Sequence, residues 1–542
     1  MINTDQKETP VPDYLTKHSW RFNDAASLEY RLTLLAIFGL GIALRVYAWY
    51  YGEGYVYWAI NDEMLAYQYA LGFLAGEPHT YYLAQPAFAD GQLPGPLWTL
   101  FWVMLLKLGN DSVNYALLWM TLFNSISIYL FYRIARQFIS PGLALASVLF
   151  FALSPQAIYS TVGMWNPLPL AVIGGLLLLT LWNTLSHERS QQIFWVCVFS
   201  AVVPQFHMIG IFYIPVIVFL LVVSQTSLNK KWLVLGIISG LALYLPYLIG
   251  EYYHHFSNTQ NMLTGSAPRS IGVIKIITGP LAMLTSIPAG WAGRDFADSV
   301  AYANSWFGSV YVLLAFSLLS LIYTSIIYFH FIKMTFDFLK QNWRNPAAAL
   351  SQQRKMFFLS SIILFPLVLF ALTLHSFATR YVMLVITVLY ILPAWHYQTI
   401  KKETNKRRFI LASVLILAFN LYLVTTFFYY QGQVINQSAN FSPSFRSMET
   451  LNKILVNNLG EDKRINIVLS DNVAALPEGS RKIAVAVTDY FKLMNKYVRK
   501  NEKHQGVISL QMELTERLSE DVDKSRIVHQ ANGMSYLRIE QP

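Results

Sequence analysis

The chain holds a single cysteine, Cys197, in 542 residues. One cysteine excludes an intrachain disulfide and any cysteine-based metal cluster. Charge is equally scarce. Asp, Glu, Lys and Arg make up 13% of the residues, where a soluble domain carries about twice that share. No glycine-rich phosphate loop and no dinucleotide-binding pattern occurs, and no basic connector is large enough to hold a nucleotide-binding domain. The first 28 residues are polar, so no cleavable signal peptide is expected. What fills the sequence instead is apolar. Hydrophobic residues reach 55% and mean hydropathy is +0.39. The apolar residues gather in repeated runs of about 20, the length of a transmembrane helix. The chain therefore reads as mainly α, a polytopic membrane helical bundle. A net charge of +10 is then explained by basic cytoplasmic connectors and needs no nucleic acid.

The connectors set the topology. A polar tail over 1–28 leads to a first span at about 31–51. Further spans are expected at about 112–134, 142–161, 164–185, 192–206, 208–224 and 232–250, then at 305–332, 356–374, 379–399 and 409–430. Arg133 and Arg136, Arg189, Lys230 and Lys231, the 333–355 linker and the 400–408 linker are basic and alternate with turns that are not. Basic connectors mark the cytoplasm. About eleven spans follow, with the amino terminus cytoplasmic and the carboxyl terminus outside, across a cell inner membrane. Leu97 to Leu108 is too short to span and is expected in the interface, after Pro94-Gly95-Pro96. Ile271 to Pro288 is expected to be re-entrant or interfacial. The membrane domain runs over 29–430, with a first external loop at 52–96 and a second at 251–304. From 431 to 542 the charge balances and short strand-like runs appear at Ile465–Ser470, Lys482–Val487 and Ser535–Ile539, with a helical pattern at Asp489–Lys500. That segment reads as a small external α/β domain.

The first external loop carries the most chemistry. Asp62 and Glu63 stand side by side among Tyr55, Tyr57, Trp58, Tyr67 and Tyr69. Asn61 can cap a helix there, with both acids in its first turn. On the same face the topology gathers Arg45, Asn166, Gln205, His207, His375 and Arg380, and from the second loop Lys275 or Arg294. Acids, cations and aromatics meeting at the headgroup level suit one reaction. A sugar arrives on a lipid phosphate, an acceptor hydroxyl attacks the anomeric carbon, and the phosphate leaves. The attack needs a carboxylate as base, the leaving group needs cations, and aromatic faces suit sugar rings.

These pieces resemble the GT-C superfamily of integral membrane glycosyltransferases, in the branch of the protein O-mannosyltransferases and the lipid A aminoarabinose transferase. Leu44-Arg45, the Asp62-Glu63 loop with Ala70 and Gly76-Glu77, Pro94-Gly95-Pro96-Leu97, Ser154-Pro155, Trp165-Asn166-Pro167, Gln205-Phe206-His207 and Arg380-Tyr381 carry the resemblance, over about 30–400. One departure is local: Tyr67 follows Asp62 by five residues, where the family often has four. The resemblance implies a polyprenyl-phosphate sugar donor, a lipid, glycan or protein acceptor, and an inverting transfer in which Asp62 is the base. Adjacent helical residues point about 100° apart, so Glu63 falls to a cap or metal ligand if Asp62 is the base. Arg45, Tyr67, Asn166, His207, His375, Arg380 and Tyr381 are the candidate substrate-binding residues.

No metal-ligand spacing is evident. The His254-His255 pair has no partner motif. A divalent cation held by Asp62 with Asp295 and Asp298 is the metal arrangement the resemblance leaves open. Two other readings compete. A secondary transporter would show inverted repeats and mid-membrane ionisable groups. A lipid-linked polysaccharide polymerase or ligase would rely on external arginines and histidines without a first-loop acid.

Overall fold

The computed structural model describes residues 27–52, 62–82, 86–88, 91–163, 165–186, 190–224, 227–264, 280–281, 284–285, 309–342, 353–373, 379–434, 445–459, 463–469, 490, 492, 494–495, 506–514, 527–531 and 534–539. Helices dominate up to residue 434. In chain order they are α1 (Leu28–Gly52), α2 (Asp62–Leu74), α3 (Leu97–Leu108), α4 (Val113–Phe138), α5 (Pro141–Ala152), α6 (Pro155–Tyr159), α7 (Leu170–Leu185), α8 (Ile193–Phe206), α9 (Tyr213–Val223), α10 (Lys230–Ala242), α11 (Leu245–Tyr253) and α12 (Ser257–Thr264). Longer helices follow at Val310–Asn342, Arg354–Thr373 and Glu403–Val434, with the shorter Leu392–Thr399 between the last two.

Among the described residues, five helices are long and apolar enough to cross a membrane: Leu28–Tyr51, Val113–Phe138, Tyr311–Gln341, Val382–Thr399 and Glu403–Tyr429. The pair Lys230–Ala242 and Leu245–Tyr253, bent by 42°, makes a sixth if read as one span. The other expected spans fall on shorter apolar helices or outside these criteria. Breaks have local causes. Pro155 and Pro246 lack the N–H that would continue a helix and sit at the first turn of the next one. Ser154 Oγ caps α6 by accepting from the Ala157 N–H at 3.2 Å. The short α3 spans Leu97–Leu108, as its sequence predicts. Trp98, Trp102, Leu105 and Leu106 are buried in the bundle core, while Leu100, Met104 and Leu108 stay exposed.

Contacts fix which helix ends share a face. Trp49, near the end of α1, donates from Nε1 to the carbonyl of Asn114, near the start of α4, at 3.0 Å. Those helices are antiparallel. Tyr47 donates to the Thr425 carbonyl at 2.8 Å, and Tyr51 meets Tyr429 with ring centroids 5.7 Å apart. The last long helix therefore runs parallel to α1 and leaves the bundle on the same face. The carboxyl-terminal residues must begin on the side that carries the first loop.

There the described residues form a helix, Phe445–Leu459, and a four-stranded sheet. Its strands are β3 (Lys463–Leu469), β4 (Gly506–Leu514), β5 (Ile527–Ala531) and β6 (Met534–Ile539), following the two short strands β1 (Pro86–Phe88) and β2 (Gly91–Gln92) of the first loop. The order is β3-β4-β6-β5, with β3 and β4 parallel and the other pairs antiparallel. Two of the three sequence-read strands coincide with β3 and β6. The third, Lys482–Val487, lies outside the described residues, as do most of Asp489–Lys500 and of Ile271–Pro288. Strands β4 and β5 are additions. The Phe445–Leu459 helix buries Met448, Leu451 and Leu455, the spacing of one helix face.

Candidate active site on the loop face

Helix α2 begins at Asp62, so both acids lie in its first turn, where the helix dipole favours negative charge. Asn61, the expected cap, lies outside the described residues. Farther along α2, Met64, Ala66, Tyr67 and Ala70 are buried. Tyr67 is 4% exposed, and burial, then the nearby Glu449 and Asp111 carboxylates, push its hydroxyl pKa up. Its ring stacks on Tyr490 from the carboxyl-terminal segment, with centroids 6.4 Å apart and planes 12° from parallel.

A polar network ties the first loop to the second. Gln92 in β2 donates from Nε2 to the Tyr69 hydroxyl at 2.6 Å. The Gln92 N–H donates to Asn258 Oδ1 at 2.7 Å, and Asn258 Nδ2 returns a bond to the Gln92 carbonyl at 3.2 Å. The Tyr247 and Thr259 hydroxyls are 2.9 Å apart, and the buried Glu251 carboxylate accepts from the Thr259 N–H at 2.8 Å. Buried polar groups that satisfy one another in this way rigidify their surroundings.

The start of α3 is held against the end of α8. Gly95 has φ +115°, a backbone form that L side chains rarely adopt, and a Cβ there would collide with Gln205 Oε1. Gln205 Nε2 donates to the Leu243 carbonyl at 3.1 Å, at the break between α10 and α11. Phe206 packs on Trp98 and Phe101. His207 ends α8 and accepts from the Ile209 N–H on Nδ1 at 3.2 Å. It is half-buried beside the α3 start. Asn166 is 6% exposed in the turn before α7. The segment Thr379–Val385, which carries Arg380 and Tyr381, lies along α7: a Cβ on Gly174 would meet the Leu384 carbonyl. The backbone thus brings Arg380 and Tyr381 to the end of the bundle that holds Asn166.

Arg45 turns inward. It is 0% exposed, and Nη1 donates to the Gly41 carbonyl at 3.0 Å and to the Ala152 carbonyl at 3.2 Å. Its guanidinium lies 5.6 Å from the Phe151 ring. Its Nη1 donor faces backbone carbonyls inside the bundle. The charge caps the carboxyl end of α5, where a cation is favoured. Beside it the Ser154 and Tyr390 hydroxyls share a hydrogen bond.

His375, Lys275, Arg294, Asp295 and Asp298 lie outside the described residues. His254 and His255 are exposed in the turn between α11 and α12. Among the described residues, no group of three or more His, Cys, Asp or Glu side chains converges as a metal site.

The sequence reading missed the contribution of the carboxyl-terminal segment. Glu449 Oε1 accepts from the Val113 N–H at 2.5 Å, and Oε2 from the Ser112 hydroxyl at 2.9 Å. Burial raises the Glu449 carboxyl pKa, against the downward pull of Ser112, of the Val113 and Asn114 N–H groups and of Lys453. The available signal was the apolar spacing of Phe445–Leu459, which marks a helix with one face to bury.

The fold as a whole is similar to that of known structures. Two solved structures carry that likeness. ArnT from Cupriavidus metallidurans in the apo state is 12% identical, with a TM-score of 0.51 over 92% of this chain and 97% of that one. ArnT from the same organism bound to undecaprenyl phosphate is 12% identical, with a TM-score of 0.51 over 95% and 98%. The Archaeoglobus fulgidus oligosaccharyltransferase in its apo form is 11% identical, with a TM-score of 0.41 over 85% and 64%. No protein-family model matches the chain, and no curated protein sequence does.

Proposed function

We propose that this protein is a membrane glycosyltransferase that moves a sugar from a polyprenyl-phosphate donor to a lipid, glycan or protein acceptor on the external face of a cell inner membrane. The observation that carries the reading is the GT-C fold over nearly the whole chain, with two adjacent acids opening the first helix of the loop face. One of the solved relatives was crystallised with undecaprenyl phosphate, which supports a lipid-phosphate donor here.

Asp62 acts as general base. It takes the proton of the acceptor hydroxyl as the oxygen attacks the anomeric carbon, and the lipid phosphate leaves from the opposite side, inverting the centre. Arg380 and Tyr381 hold the departing phosphate, with His375 contributing. A guanidinium fork suits phosphate oxygens. Asn166, His207 and Tyr67 frame the sugar side. Arg45 supports the site through the α5–α6 break, without touching donor. Glu63 caps α2 or assists a divalent cation. The 431–542 segment is an external α/β domain in this topology.

The test is transfer from defined polyprenyl-phosphate sugars, scored by mass spectrometry of the product. Losing a positioned base costs about 100- to 10,000-fold in rate. Asp62→Asn should fall in that range with normal membrane insertion and donor binding, while Glu63→Gln does less harm. A dead Glu63→Gln beside an active Asp62→Asn would move the base by one residue. Normal transfer by both variants would remove this loop from catalysis.

A further inference from the structure

The acid-bearing helix is held from a distance of more than 300 residues in sequence. Tyr490 stacks on Tyr67, which lies five residues after Asp62 on α2. Glu449 seats the Phe445–Leu459 helix on the first turn of α4, through Val113 and Ser112. A continuous apolar core joins the two contacts. Met64, Ala66, Tyr67 and Ala70 of α2 share it with Met448, Leu451, Leu455, Ile467, Tyr490, Met494 and Leu510. The carboxyl-terminal segment is therefore packed into the face that carries the acids.

Each contact is suited to setting position. A carboxylate over the first turn of a helix satisfies N–H groups that have no partner within that helix, and it meets the positive end of the dipole. Its geometry is directional, so it fixes the register of one helix against another. Tyr67 is a rigid, buried ring, and stacking on it restricts rotation of α2 about its own axis. Rotation of α2 is the motion that would swing Asp62 away from an acceptor, because residues in one turn face different directions. Displacements of about an ångström at reacting groups are enough to cost about 100-fold in rate.

We propose that the carboxyl-terminal segment is a clamp that orients α2, with Glu449 and Tyr490 as positioning residues for Asp62. The inference rests on the glycosyltransferase reading for its catalytic consequence, but the clamp itself can be read without any substrate. Hydrogen exchange of the amides in 62–74, measured on the full-length protein in detergent or nanodiscs, reports on α2 directly. Glu449→Ala and Tyr490→Ala should each speed exchange there by tenfold or more, with little change in α9 or α10. Transfer should drop about 10- to 100-fold in kcat, with KM for the donor within twofold of the parent. Tyr490→Phe keeps the ring and should recover kcat to within about twofold. If an alanine variant fails to fold, Tyr490→Leu fills the core without stacking and carries the same expectations.

Unchanged exchange in 62–74 in the folded variants would overturn the clamp. Faster exchange with an unchanged kcat would also overturn it, because α2 would then be held without being positioned for anything. A fall in kcat that Tyr490→Phe does not recover would put the hydroxyl, and not the stack, in charge and would overturn the orienting role of the ring. An active Asp62→Asn would sink the base assignment alone, and exchange would still report whether the clamp exists.

Discussion

A buried cation and a half-buried anion in this molecule do the same physical job in different places, and only the cation was conspicuous. Inside the bundle, Arg45 donates to the Ala152 carbonyl at the carboxyl end of α5. At the loop face, Glu449 accepts from the Val113 N–H at the amino end of α4. A cation sits at a helix carboxyl end and an anion at a helix amino end, as the macrodipole favours. Neither has an ion partner among the salt bridges of the described residues. They differ in what they join. Arg45 links α1 to a break 107 residues away within one bundle. Glu449 reaches 336 residues and ties a separate segment to the bundle. An arginine in an apolar run stands out because membrane burial is costly. A glutamate in a polar segment looks ordinary, so its partial burial is invisible until the chain is folded.

The comparison breaks most readily at Arg45. Arg45→Ala removes a large enclosed side chain and leaves the Ala152 carbonyl without its donor. The cavity and the orphaned acceptor together should cost about 2–5 kcal/mol. A clear drop in the apparent unfolding temperature of the purified protein is the expected outcome. Arg45→Met fills most of the volume with no charge to desolvate, and replacing a buried charge by a well-packed apolar group is often close to neutral. Arg45→Met should therefore unfold near the parent temperature and bind donor normally. Parent-like unfolding by Arg45→Ala would deny the cap. Lost donor binding by a stable Arg45→Met would return Arg45 to the substrate.

That contrast also explains what could be read in advance. The apolar runs locate most of the helices, since a membrane span needs local composition and little else. The α3 limits and the strands at 463–469 and 534–539 follow from the same local signals. The acids at the start of α2 follow from one capping pattern. Other features depend on partners far away in sequence. Whether Arg45 faces protein, water or phosphate depends on where α5 ends. Whether Tyr67 meets substrate or another ring depends on Tyr490. The clasp between Gln92 and Asn258 needs two loops to meet, and neither residue belongs to a motif. Helix breaks at Pro155 and Pro246 shorten spans that hydropathy alone draws as continuous.

A smaller effect sharpens the Glu449 half. Ser112 both caps α4, accepting from the Tyr115 N–H, and donates to Glu449. Ser112→Ala and Glu449→Ala should each cost about 1 kcal/mol. Because the two groups touch, their effects should not add, and a coupling of about 0.5 kcal/mol or more is expected from the double variant. Denaturant unfolding of the four proteins measures it. Strict additivity would mean that Glu449 and Ser112 stabilise α4 independently, and the seam would lose its shared cap.

The smallest expected effect belongs to the charge pair beside the seam. Lys107 Nζ and Asp111 Oδ1 are 2.8 Å apart, but the side chains are 56% and 64% exposed. Lys107 ends α3 and Asp111 stands just before α4, so each charge also suits its nearby helix end. Exposure decides the size of the effect. Water and salt screen both the pair and the dipoles, and ordering two side chains costs entropy, so exposed pairs contribute about 0–1 kcal/mol. Lys107→Ala should shift stability by no more than about 0.5 kcal/mol, and that shift should shrink further at 1 M salt, where screening extends to about 3 Å. The partner position needs a different substitution. Asp111 has φ +61°, a left-handed form that Asn tolerates better than most residues, so Asp111→Asn removes the charge without straining the turn. It should match Lys107→Ala within error. A loss of stability comparable to that of Glu449→Ala in either variant would mean that proximity of charge to a helix end is sufficient, and that burial is not what separates Glu449 from its exposed neighbours.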